Sequence, residues 1–205
     1  MSPVLLLALF FLNAAAYLAF LPQLPYKGDY LVKSLPIFCL AGYTVWQGEG
    51  AAAALLFVGL LFSAGGDVAL ALDRRRYFVI GLSLFLIAHL FYLAAFSREL
   101  TQIRLNLGAG VILLLALAMG GWLWPVLGKL RLPVMLYLLV ISLMGVAAAF
   151  HPRALPYLFP GAVLFILSDA LIATDKFRRP VPYAQYLIMS TYYLGQLGIV
   201  LGVIG

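Results

Sequence analysis

At 205 residues, 65% of them hydrophobic and 10% charged, with a mean hydropathy of +1.09, the chain lies far from the roughly half-apolar, quarter-charged composition of soluble domains. That excludes a soluble globular or disordered protein and predicts one integral membrane domain over residues 1–205, with no linker long enough to separate two. The net charge of +6 comes from short basic clusters between apolar runs, which suits orientation in a bilayer and not nucleic-acid binding.

A span needs about 20 mainly apolar residues. Eight such runs follow one another, at 3–21, 30–47, 51–72, 77–97, 105–124, 132–150, 155–173 and 183–204. They predict helices, because a backbone in hydrocarbon has to satisfy its own hydrogen bonds. Barrel strands would instead alternate over about ten residues. The expected fold class is all-α, with eight transmembrane helices in one bundle. No Lys or Arg precedes the first run, so it reads as a span and not a cleaved leader, although residues 14–16 are small. The single cysteine, Cys39, rules out an intrachain disulfide or a cysteine metal cluster.

Basic residues fall unevenly between the runs. Lys27, Lys33, Arg74, Arg75, Arg76, Lys129, Arg131, Lys176, Arg178 and Arg179 lie on one side, and Arg98, Arg104 and Arg153 on the other. This bias predicts cytoplasmic odd-numbered connections and places the N- and C-termini on the non-cytoplasmic side. Tyr77, Trp122, Trp124, Tyr157 and Tyr183, near run ends, suit interfacial anchoring.

The third run ends in LFSAGGDVALALDRRR (61–76), and the seventh carries LFILSDALIATDKFRR (164–179). A charge near the bilayer centre costs about 2.5 to 3.5 kcal/mol on insertion scales, so Asp67 and Asp169 need a purpose. Each lies seven residues before a basic residue, Arg74 or Lys176, which sets it about 10 Å inside the cytoplasmic end of its helix. Asp73 and Asp175, six residues further on, point about 240° round the helix and read as solvated end charges. A parallel duplication of four helices would leave this pattern, although the rest of the halves match poorly.

Neither submerged aspartate has a basic residue within a turn of its own helix, so a partner has to come from another helix. Lys33 is the first candidate; the competing reading has it snorkel to headgroups. His89 falls near mid-membrane with Tyr92 one turn on, and Tyr192, Tyr193 and Gln196 share neighbouring faces of the last helix. Such groups serve either a site or interhelical packing. Gly65, Gly66 and Gly161 are read as close-packing positions, and His151 as an ordinary loop residue. No HExxH, G-x-S-x-G or GxxxxGK[ST] motif is present, which removes zincin, serine-hydrolase and P-loop readings. Two histidines on different helices cannot supply a three-histidine zinc site, so no metal or other cofactor is expected.

Several motifs are recognisable together: KSLP from Lys33 to Pro36, GGD from Gly65 to Asp67, the stretch 81–92 with His89, GAVLFILSD from 161 to Asp169, and Tyr192, Tyr193 and Gln196. With these the chain resembles the YhhN family of eight-span membrane proteins, to which the lysoplasmalogenases belong. Lys33-Ser34 departs from the Lys-Pro more usual there. The resemblance implies hydrolysis of the vinyl ether bond of lysoplasmalogens, releasing a fatty aldehyde and glycerophosphoethanolamine or glycerophosphocholine. It carries Asp67 and Asp169 over as catalytic, with Lys33, His89, Tyr92, Ser168, Tyr192, Tyr193 and Gln196 as candidate substrate-binding residues. The implied partners are a lysophospholipid substrate and membrane lipids. The implied location is an integral, multi-pass place in a membrane, the plasma (inner) membrane if the source is bacterial, with the site toward the cytoplasmic leaflet. Protonating a vinyl ether at its β carbon and capturing the cation with water calls for an acid and a base. Of two carboxyl groups sharing a low-dielectric site, one can stay protonated near neutral pH while the other stabilises the cation. Two readings compete: a lipid or proton-coupled carrier using the same carboxylates, and an assembly protein whose aspartates merely pair with Lys33.

Overall fold

The computed structural model describes residues 2–72, 76–100, 106–152 and 154–204. Eight helices follow in chain order: α1 Pro3–Phe20, α2 Asp29–Gln47, α3 Gly50–Leu72, α4 Phe78–Ser97, α5 Leu107–Leu123, α6 Arg131–Phe150, α7 Phe159–Phe177 and α8 Ala184–Ile204. No strand occurs among the described residues. Local chemistry sets several ends. The Ser2 hydroxyl accepts the Leu5 N–H at the start of α1, and Gly28 takes the left-handed conformation at the N-cap of α2. Asn106 accepts the Gly108 and Ala109 N–H groups and donates its amide to the Ala149 carbonyl, tying the start of α5 to the end of α6.

Seven of the helices are long and apolar enough to cross a membrane, and α2 falls short. The reason is in its residues. It carries Asp29, Lys33 and Ser34, all buried, and Pro36 inside the helix. Pro36 has no N–H to offer the preceding turn, while the Ser34 hydroxyl bonds back to the Tyr30 and Leu31 carbonyls.

The seventh helix differs from its expected span of 155–173. A π-helical turn, Ala154–Leu158, comes first, and α7 then runs to Phe177. Pro160 sits in the first turn, where a missing N–H costs nothing. At the far end the Thr174 carbonyl accepts the N–H of both Arg178 and Arg179, which prolongs the helix. Asp175 therefore lies in the last helical turn, and its carboxylate accepts the Val181 N–H at 3.1 Å. Asp73, Arg74, Arg75, Arg104 and Arg153 lie outside the described residues.

The chain divides into two compact units, residues 1–95 with 203–205, and residues 96–202. In the first, α1 packs on α2 and α2 on α3. Gly59 lies under the Tyr92 ring, and a Cβ on Gly66 would come within 2.7 Å of the Phe85 ring. Gly65 needs no such closeness, since a Cβ there would meet only Leu84 at 3.7 Å. In the second unit α5 packs on α6 and α6 on α7, while α7 and α8 meet backbone to backbone. A Cβ on Gly161 would sit 2.6 Å from the Ile199 nitrogen, and Gly195, Gly198 and Gly202 are equally closed in. In lipid such small-residue contacts do the work that hydrophobic burial does in water.

Gly161→Val is expected to destabilise the protein by about 1 to 3 kcal/mol, because the atoms it meets are backbone and cannot swing away. Gly110→Ala, with nothing within 4 Å of the new methyl, should unfold in detergent at or above the wild-type temperature.

Candidate active site

In the first unit Asp67 of α3 is buried and Lys33 of α2 reaches it. The Nζ to Oδ1 distance is 3.2 Å, with side-chain exposures of 10% for the lysine and 2% for the aspartate. The same ammonium lies 3.5 Å from the Asp67 carbonyl oxygen. Two charges taken out of water are tolerable only when they compensate each other closely, so this pair fixes how α2 seats on α3. The partner expected for Asp67 is the partner found. One turn back on the same face of α3, the Ser63 and Tyr92 hydroxyls share a hydrogen bond of 3.1 Å. The His89 ring stands edge-on to Tyr92 with centroids 6.3 Å apart. Ser63, His89 and Tyr92 are all buried, so the unit holds a polar strip inside apolar helices. Ser63 was missed in the sequence, although its i, i+4 relation to Asp67 was a readable signal.

In the second unit Asp169 of α7 is half-buried. Its Oδ2 accepts a hydrogen bond from the hydroxyl of Tyr137 on α6, itself a buried residue. Tyr137 was not singled out in the sequence. Its one signal is position: Tyr137 precedes Asp169 by 32 residues, much as Lys33 precedes Asp67 by 34. The neighbouring Ser168 points elsewhere and donates its hydroxyl to the Ile188 carbonyl of α8 at 3.1 Å. Tyr192 packs edge-on against Phe165 and tilts against Tyr193, and Gln196 is buried on the same helix.

Other polar features lie nearer the helix ends. His151, expected to be an ordinary loop residue, is buried beside Glu99, with Nε2 3.6 Å from Oε2. Arg178 stacks over Trp122 at 5.0 Å, and Arg131 over Trp124 at 5.1 Å while its Nε donates to the Trp124 carbonyl. In the connection before α2, burial first and the Asp29 carboxylate second push the Tyr26 phenol above its ordinary pKa. Among the described residues no group of three His, Cys, Asp or Glu side chains is placed to hold a metal ion.

Seven apolar helices and two aspartates, each bonded to the helix before its own, define a multi-pass integral membrane protein with polar chemistry inside its helices. The sequence model of the YhhN family matches residues 28–203, and the chain belongs to that family. Its relatives include lysoplasmalogenase TMEM86A of Bos taurus, 38% identical over 85% of this chain and 77% of that protein. Lysoplasmalogenase TMEM86B of Homo sapiens is 39% identical over 83% and 73%. A lysoplasmalogenase of Mycobacterium bovis is 36% identical over 60% of this chain and 49% of its own. No solved structure matches.

Lys33→Met is expected to destabilise the protein by about 3 kcal/mol in detergent unfolding, since it strands a buried carboxylate without its ammonium. Adding Asp67→Asn should recover part of the loss.

Proposed function

We propose that the chain is a membrane hydrolase that cleaves the vinyl ether bond of lysoplasmalogens, with Asp67 and Asp169 as its two catalytic carboxylates. The observation that carries this reading is the likeness, at 38% and 39% identity over more than four-fifths of the chain, to two proteins named lysoplasmalogenase. The local settings of the aspartates support it. Both are held by side chains from another helix, as groups with a chemical task need to be, and Lys33 suits Asp67 to carry charge.

The reaction needs one proton donor and one acceptor. A carboxylic acid gives its proton to the β carbon of the vinyl ether, and the α carbon and its ether oxygen then share a positive charge. A carboxylate steadies that cation and takes a proton from the water whose oxygen bonds to the α carbon. The resulting hemiacetal loses its hydroxyl proton as the glycerol oxygen gains one and the carbon–oxygen bond breaks. Fatty aldehyde and glycerophospholipid headgroup leave, and one water is consumed. His89, Tyr92, Tyr192, Tyr193 and Gln196 are the buried polar groups from which contacts to glycerol or water would come.

Eight spans with both termini outside belong to the same proposal. The ten-to-three bias of basic residues supports it, and 19 residues of α2 extend about 28 Å, close to the thickness of the hydrocarbon core. The carrier reading fares worse. Carriers bind ions where helices are broken, whereas α3 runs unbroken through Gly65 and Gly66 and Pro160-Gly161 lie in the first turn of α7, away from Asp169.

Purified protein in detergent should release aldehyde from a 1-alkenyl lysophospholipid, and folded Asp67→Asn or Asp169→Asn should each lower the rate by about a hundredfold or more, the Asp67 change also lowering the unfolding temperature because it takes the carboxylate from the buried Lys33 ammonium. Aldehyde release that survives both changes removes the two-carboxylate mechanism. A silent wild type whose proteoliposomes move lipid or protons establishes the carrier instead.

A further inference from the structure

We infer that Tyr137 is a positioning residue for Asp169, holding its carboxyl group for proton transfer. The inference rests on the hydrolase reading of Asp169 and adds a residue that the motifs leave out. Tyr137 is buried on α6, and a buried hydroxyl has to find a hydrogen-bond partner. The partner is a carboxyl oxygen, Asp169 Oδ2, although an apolar helix offers a tyrosine many cheaper ways to bury its ring. Asp169 itself is only half-buried, so the packing of α7 alone does not settle where its carboxyl points. Tyr137 does, because its ring turns about only two side-chain torsions and α6 packs directly on α7. The same device recurs in the other unit, where Lys33 from the early turns of α2 holds Asp67 of α3. In each unit the aspartate helix is preceded by one that supplies a donor to its carboxylate. Removing a ring hydroxyl while keeping the ring separates this role from plain packing.

The experiment is steady-state aldehyde release by full-length Tyr137→Phe in detergent, beside wild type and Asp169→Asn. Loss of a hydrogen bond to an ionisable partner should lower kcat by about 10- to 100-fold, with KM within about twofold and the unfolding temperature unchanged. In an Asp169→Glu background, where the carboxyl stands one methylene further out, the Phe change should lose most of its effect. A wild-type kcat in Tyr137→Phe, a loss confined to KM, or full additivity with Asp169→Glu overturns the inference. If the Phe variant does not accumulate as folded protein, 3-fluorotyrosine at position 137 replaces it, with a change in kcat alone as the expected result and an unchanged kcat as the overturning one. An inactive wild type would instead defeat the hydrolase reading, whereas active wild type, dead Asp169→Asn and fully active Tyr137→Phe defeat only the role of Tyr137.

Discussion

The ion pair between Lys33 and Asp67 is the constraint from which much of the first unit follows. A carboxylate buried to 2% exposure in an apolar helix has to be met by a positive charge at contact distance, and that requirement reaches back into α2. It explains why α2 is the helix that falls short in apolarity: a helix that delivers a lysine to its neighbour's interior cannot also be uniformly hydrophobic. It also explains why α2 buries polar atoms along its length, from Asp29 through Lys33 and Ser34 to Thr44. The hydroxyls of Ser34 and Thr44 bond back to carbonyls of their own helix, so they cost little, and the lysine is left to bond across to α3.

Polar bonds of this kind orient helices but do not bring them close. In hydrocarbon there is no gain from hiding one apolar surface against another, so close approach depends on shape. Gly59 and Gly66 of α3 let the rings of Tyr92 and Phe85 rest on the helix backbone, which is how the Tyr92 hydroxyl comes to lie against Ser63. In the second unit Gly161 and three glycines of α8 let two backbones touch. Ser168, two turns beyond Gly161 on α7, reaches the Ile188 carbonyl across that same contact. Small residues bring the helices together, and each hydrogen bond then fixes their register.

How much of this was legible in the sequence follows from what each feature costs. The helices could be read because a span has a fixed length and the bilayer tolerates no irregular backbone. Asp67 and Asp169 stood out because a carboxylate is the costliest thing to place in such a run, and Lys33 because a basic residue just inside a span is rare. Tyr137 gave no such signal. A tyrosine in an apolar helix is ordinary, the chain has 12 of them, and only the α6–α7 packing shows which one meets an aspartate. The same holds for His151, whose burial beside Glu99 depends on where two connections meet. The extension of α7 past residue 173 was hidden because Thr174, Asp175 and Lys176 are polar, and the backbone bonds that extend the helix are indifferent to that.

The two aspartates stand in equivalent places in the sequence, 102 residues apart within similar segments. Each is held from the preceding helix, by a donor 34 or 32 residues earlier. Equivalent frames would by themselves give two carboxyl groups the same behaviour, and the acid–base reaction proposed for them needs them to differ. The difference lies in the donors. An ammonium and a phenol at corresponding positions give chemically identical side chains unlike electrostatic surroundings, and unlike surroundings are what let two carboxyl groups differ in proton affinity. Under the proposed reaction, the divergence that would separate acid from base sits in α2 and α6, one helix away from the residues that the motifs pick out.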